Sequence, residues 1–225
     1  MDYNISMFSR ITTIINNPII LLYMLPALVI SLTLHEWGHA YAAYKCGDPT
    51  ARNLGRMTLN PLAHFDIIGT LCLLLVGFGW AKPVPVNRRN FRRPKLDEII
   101  VSLAGVTMNL LVLIVSILLY AIFVRINADL LLNEAFMNIM SYLMAYNVVL
   151  MIFNLIPIPP LDGSHILEIA LARHVSPKFF FYLRRYGMWI LLALLWLNVL
   201  DAPLIWAQEL VFDLADKLVL ALYGL

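Results

Sequence analysis

Five residues, His35-Glu36-Trp37-Gly38-His39, lie inside a run of apolar residues long enough to cross a lipid bilayer. That setting constrains this chain more than any other feature. Residues 19 to 34 read as a membrane-spanning helix, and the polar group arrives before the helix has ended. On a helix, positions four apart share a side, so His35 and His39 can hold one metal ion between them. Glu36 follows the first histidine directly, where its carboxylate can face a water on the metal rather than the metal itself. Two imidazoles and a carboxylate in hydrocarbon are costly unless they are satisfied and used. The stretch is therefore read as a functional site.

The rest of the chain is built for the same solvent. Of its 225 residues 61% are hydrophobic and only 13% charged, and the mean hydropathy is +0.80. A soluble domain is about half apolar and about a quarter charged, so this composition describes an integral, multi-pass membrane protein. The fold expected is all-α, with five to six transmembrane helices and a re-entrant or short β/loop element between the first two long spans. Residues 1–225 are expected to form a single membrane-embedded domain, with a core over 18–172 and C-terminal helices over 179–222. Cys46 and Cys72 make neither a disulfide framework nor a C-x-x-C pair and read as packed residues. The N-terminal residues read as a retained segment, because no small-x-small cleavage site follows and the apolar run leads straight to the histidines.

The spans follow in order. The first covers about Pro18 to Tyr44, roughly 40 Å at about 1.5 Å per residue, and stops at Lys45-Cys46-Gly47-Asp48-Pro49. Pro26 is expected to kink it. Residues 67–78 are too short for a comfortable span of about 20 residues and are flanked by basic residues on both sides. A re-entrant or partly submerged element is the reading, with a short true span as the alternative. Further spans cover about 99–124 and 136–156. A Pro-rich turn, a short helix from Ser164 to about Arg173 and a basic loop with Lys178, Arg184 and Arg185 come next. Two last apolar runs cover about 188–200 and 203–222, the latter charged enough to lie in the interface instead of crossing. Nine Lys and Arg lie in 45–97 and four in 173–185, against Arg10 and Arg125 on the other side. That bias puts the N-terminus outside and the His35 end of the first span towards the cytoplasm.

A catalytic zinc needs three protein ligands and one open position. Candidates for the third are His64, Asp66, Asp162, His165 and His174. Asp162 is favoured, because it follows a rigid Pro-rich turn at the end of a span and falls at the matching depth. Its bland alternative is an N-cap for the helix it opens. His165 reads as an interfacial polar residue, with a role supporting a ligand as the alternative, His64 and Asp66 as loop residues, with lining the site as the alternative, and His174 as solvated.

Three segments together carry a resemblance. His35-Glu36-Trp37-Gly38-His39 in the first long span, Asn154-Leu155-Ile156-Pro157-Ile158-Pro159-Pro160-Leu161-Asp162-Gly163 after a later one, and the loop Gly79-Trp80-Ala81-Lys82-Pro83-Val84-Pro85-Val86-Asn87 resemble the site-2 protease family of intramembrane zinc metalloproteases. The match spans about residues 30 to 170 and resembles the small branch without PDZ or CBS domains. The resemblance implies one Zn2+ per chain on His35, His39 and Asp162, with Glu36 as general base. It implies that Asn154 orients the water or the substrate backbone. Ser102 to Asn109 resembles the family's S-x-A-G-P-x-x-N segment with Val106 in place of Pro, which extends the same role to Asn109. Both asparagines have an alternative as hydrogen-bonding links between helices. The implied substrates are transmembrane-helix proteins, cleaved near the cytoplasmic face of a prokaryotic cell membrane after local unwinding. The segments 79–87 and 154–163 can offer backbone groups to an extended substrate, or act simply as loop punctuation. The bilayer is the one other partner implied; no nucleic acid is expected, and oligomeric state is not legible.

Five histidines are too few for the several histidine boxes of a di-iron membrane desaturase. A metal transporter without proteolytic activity is the rival of a different class. It would line two or more spans with repeated ligands and would not need Glu36.

Overall fold

The structure is a computed structural model and describes residues 14–76 and 79–223. Among them all regular structure is helical. The helices are α1 (Ile20–Lys45), α2 (Thr50–Asn53), α3 (Ile67–Val76), α4 (Pro94–Ile126), α5 (Glu134–Leu155), α6 (Gly163–Leu171), α7 (Pro177–Trp196) and α8 (Asp201–Tyr223). Four of them, α1, α4, α5 and α7, are long and apolar enough to cross a membrane.

The centre is a three-helix bundle of α1, α4 and α5. In α1 the buried residues Met24, Leu28, Ser31, Leu32, His35 and His39 recur at helical spacing, so one stripe runs from apolar packing straight into the metal-ligating pair. Lipid tails are as apolar as Leu, so helices in a bilayer associate through close packing and hydrogen bonds rather than through water exclusion. At Gly38 α1 and α4 approach closely: a Cβ there would lie 2.6 Å from Met108 Cγ and 2.9 Å from the Ala104 carbonyl oxygen. α1 ends as its breakers require. Gly47 takes φ 106°, its N–H reaches Tyr44 O, and the N–H of Asp48 reaches Ala43 O, which satisfies two terminal carbonyls.

α8 packs on α4 and α5 and runs parallel to α4. Tyr120 Oη donates to Asp216 at 3.3 Å, and Tyr223 Oη donates to Val124 O at 2.7 Å further along both helices. Asp216 is thus held to the bundle, whereas Glu209 and Asp213 are exposed and Asp213 pairs with Lys217 of its own helix. α7 differs from the expectation. Lys178, Arg184 and Arg185 do not lie in a loop; they belong to the first half of α7, which starts with Pro177 at its first position, where the missing N–H costs nothing. Its first half adjoins the turn that carries Asp162, with Arg184 bound to Glu168 of α6 and Gly187 against the Pro159 carbonyl.

Residues 67–76 form α3, a helix of 10 residues, not a strand. At about 1.5 Å per residue it is about 15 Å long, half of a bilayer core of about 30 Å. Residues 77 and 78 lie outside the described residues. The chain then passes through 80–87 without regular structure and returns beneath the histidine end of α1.

Candidate metal centre

His35 and His39 project from the same side of α1 with their Nε2 atoms 3.1 Å apart. The outer nitrogen of each ring is tied to an acceptor. His39 Nδ1 lies 2.8 Å from Val101 O, and His35 Nδ1 lies 2.6 Å from Asn109 Oδ1. A backbone carbonyl only accepts, so His39 donates from Nδ1. The Asn109 amide is oriented by its nitrogen, which donates to Ser31 O and to Asn147 Oδ1, so its oxygen faces His35. Both rings therefore carry the proton on Nδ1 and turn an Nε2 lone pair inward.

Asp162 completes the group. Its Oδ2 is 3.1 Å from His39 Nε2 and 3.4 Å from His35 Nε2. A tetrahedral ion with bonds of about 2.0–2.1 Å has ligand atoms about 3.3–3.4 Å apart, so this triangle has the edge lengths of one zinc coordination face. The fit does not rest on spacing alone. Asp162 Oδ2 is buried and accepts no protein hydrogen bond, and three electron-rich atoms face one another with no donor proton among them. A cation is the species that relieves this.

The turn from α5 to α6 delivers Asp162. Leu161 N–H bonds Ile158 O, Ser164 N–H bonds Leu161 O, and the buried Ser164 hydroxyl donates to the same carbonyl at 2.6 Å. Gly163 allows the turn to close, since a Cβ would collide with the Leu155 carbonyl. Asp162 sits at the N-cap position of α6 but makes no capping hydrogen bond with its side chain. The bland alternative for this residue is thus not realised.

Glu36 is buried beside the histidines, and its Oε2 accepts the Val84 N–H at 3.0 Å. A cavity of about 670 Å³ opens here. His35, Glu36, His39 and Asp162 line one part of it, the segment with Ala81, Pro83 and Val84 another, and Leu73, Phe153, Leu191 and Leu204 an apolar wall. Asn154 also lines the cavity, and its side-chain NH2 donates to Leu150 O at 2.9 Å. Asn109 does not line the cavity. Its side chain contacts the His35 ring, because its helix position faces α1 and α5.

The remaining candidates go elsewhere. His165 lies on the cavity rim, where Nδ1 is 2.7 Å from Arg88 Nη2, and Arg88 Nη1 also binds Glu98 at 2.9 Å. Burial and the Arg88 charge hold the His165 pKa below its ordinary value. His64 is fully buried in a loop with Nε2 against Thr58 O, and Asp66 Oδ1 accepts Gly69 N–H at the start of α3. His174 is exposed. Sequence reasoning passed over Gly105, although it stands inside the Ser102–Asn109 segment: a Cβ there would collide with His39 Nε2 and lie 2.7 Å from His35 Nε2. A glycine in a transmembrane helix was the available signal. Asn147 and Ser31 were passed over as well.

A helical membrane bundle with a His-His-Asp group and an adjacent glutamate on a buried cavity defines a class, the membrane-embedded metallohydrolases. The comparisons agree. Residues 122–195 match the model of Peptidase family M50, a stretch that includes Asn154 and Asp162 but not His35 and His39. The chain is 43% identical over 148 residues to the Bacillus subtilis protein named "Putative zinc metalloprotease YwhC", covering 65% of this chain and 68% of that one. It is 29% identical over 193 residues to "Putative zinc metalloprotease Rip2" of Mycolicibacterium smegmatis, covering 84% and 71%, and 30% identical over 155 residues to the Mycobacterium tuberculosis protein of that name, covering 67% and 56%. No solved structure matches the chain. The chain belongs to peptidase family M50, the site-2 protease family.

Proposed function

We propose that this peptidase uses one zinc ion, held by His35, His39 and Asp162, to hydrolyse peptide bonds of membrane-embedded protein segments, with Glu36 as general base. The observation that carries the reading is the triangle of Nε2, Nε2 and Oδ2 atoms, 3.1 to 3.4 Å on a side, with Glu36 next to it on the same cavity. Bound zinc lowers the pKa of water towards neutrality and polarises a carbonyl. Glu36 takes one proton from the attacking water as the new C–O bond forms, and returns it to the amine as the C–N bond breaks. Val84 N–H holds one carboxylate oxygen of Glu36, which leaves the other for that proton. Asn154, on the cavity wall, orients water or substrate backbone. Asn109 is a positioning residue that keeps the proton of His35 on Nδ1.

A helical substrate shields its peptide bonds with its own hydrogen bonds, so it must unwind to be cleaved. The irregular segment at 80–86 and the Pro-rich turn before Asp162 line the opening and have backbone groups to offer an extended chain. The excess of basic residues in 45–97 and 173–185 supports a cytoplasmic site supplied with water from that side. The bacterial sources of the relatives support a prokaryotic cell membrane. Nothing favours metal transport: among the described residues one ligand group is found, not a series along a path.

The deciding experiment is cleavage of a membrane-embedded substrate by Glu36→Gln. Cleavage is expected to fall by about 10²–10⁴-fold with zinc retained at one per chain. Wild-type cleavage by this variant removes Glu36 from the role of base.

A further inference from the structure

Behind the histidines lies a chain of polar contacts that no motif announces. Ser31, Asn109 and Asn147, one from each helix of the central bundle, are all fully buried. Asn147 Nδ2 donates to Leu143 O at 2.7 Å and to Ser31 Oγ at 2.8 Å, and Ser31 Oγ donates onward to Ala27 O at 2.7 Å. Both hydrogens of the Asn147 amide are thereby committed, so its oxygen must face Asn109 Nδ2, 2.9 Å away. That contact, with Ser31 O at 3.4 Å, in turn commits the Asn109 nitrogen, and its oxygen must face His35 Nδ1. The chain is anchored on the backbone carbonyls of Leu143, Ala27 and Ser31, which only accept.

We infer that Asn147 is a positioning residue for the metal centre: through Asn109 it dictates on which nitrogen His35 carries its proton. The inference rests on the reading of His35 as a metal ligand. Without the Asn147 oxygen, only the longer contact to Ser31 O, 3.4 Å away, distinguishes the two ends of the Asn109 amide. The inverted amide presents NH2 to His35 Nδ1, which then accepts, and the ring proton moves to Nε2, where the lone pair for the metal is required. The metal must displace that proton, and affinity falls. The same network links α1, which carries His35 and His39, to α5, which leads into the turn that delivers Asp162.

The test is zinc affinity of the full-length protein, stripped of metal and titrated against a chelator. Outer partners of ligating histidines are worth about 10–100-fold in affinity, and Asn147 acts one link further out, so Asn147→Leu is expected to bind zinc about 3–10-fold more weakly. Asn109→Ala with Asn147→Leu is expected to bind no more weakly than Asn109→Ala alone, because both act through one link. Additive losses overturn the inference, as does wild-type zinc affinity accompanied only by a lower unfolding temperature of the metal-free protein. Ser31→Ala removes a single oxygen and one of the two acceptors that orient Asn147, and is expected to weaken binding about 2–3-fold. If Asn147→Leu does not fold, wild-type affinity in Ser31→Ala overturns the inference instead. His35→Ala separates the two levels. Zinc lost from His35→Ala but bound normally by Asn147→Leu defeats this inference alone, whereas zinc retained by His35→Ala defeats the ligand assignment beneath it.

Discussion

The two sides of the histidine pair are built on opposite plans. On the bundle side, Ser31, Asn109 and Asn147 are fully buried, and each side-chain amide there has its orientation dictated by its partners. On the cavity side part of the wall comes from the irregular segment at 80–86 and the turn before Asp162, Asp162 Oδ2 lacks a hydrogen-bond partner, and at the rim Arg88 pairs with Glu98 and hydrogen-bonds His165. The difference teaches how the labour is divided. A polar group in hydrocarbon must be satisfied permanently, so the bundle side can only hold and orient. Groups that exchange water, substrate and protons must keep capacity unspent, and these line the opening.

The contrast can be broken most sharply from the cavity side. Asp162→Ala removes a proposed ligand whose Oδ2 has no other engagement, and is expected to abolish stoichiometric zinc and lower cleavage by at least about 10³-fold. Metal analysis of the purified variant checks it; normal zinc content makes the third ligand another residue. A smaller effect is expected where the two sides meet. Gly105→Ala puts a methyl group into the space between the two Nε2 atoms, so zinc affinity should fall about 10–100-fold by chelator competition while the helical content in circular dichroism stays unchanged. An affinity equal to that of the wild type would mean that α4 can draw back from α1, and that the crossing at Gly38 is not rigid.

The smallest effect belongs to the loops around the opening. Asp48, fully buried after α1, accepts from Thr50 Oγ1 and N–H, from Asn87 N–H at 2.7 Å and from Asn90 Nδ2 at 2.7 Å. Burial alone would raise its pKa, but these hydrogen bonds outweigh it and hold the carboxyl below its ordinary value. A depressed folded-state pKa contributes stability that is complete above the unfolded value of about 3.9 and is lost as pH falls through the folded one. Asp48→Asn should therefore cost about 1–2 kcal/mol at pH 7 and progressively less below about pH 4, read by thermal unfolding at both pH values. An equal cost at both would assign the effect to packing rather than to charge.

Much of this was legible in the residues. His35 and His39 four apart in an apolar run put their ring nitrogens on one side of a helix, because helical periodicity needs no tertiary partner. The breakers at Gly47 and Pro49 marked the end of α1 within one residue, since left-handed backbone is a local requirement. The basic segment around Arg184 and Arg185 was misread as a loop. Charge alone does not decide between a solvated loop and the first turns of a helix, and the contacts to Glu168 and Pro159 that hold this helix are distant in sequence. Asn109 was tied to the site through a resemblance, but its side of His35 depended on how α4 crosses α1.

His35-Glu36-Trp37-Gly38-His39, the apolar runs and the Pro-rich turn were enough to specify a membrane helix bearing two candidate ligands and an adjacent base, because spacing along a helix and the cost of charge in lipid are local facts. Only the tertiary structure decided what surrounds them. It brought Asp162 within 3.4 Å of both rings, set Asn109 and Asn147 behind His35, and opened Gly105 against the two Nε2 atoms. Those relations join residues up to 127 positions apart in the chain, and packing between helices sets such distances where sequence spacing cannot.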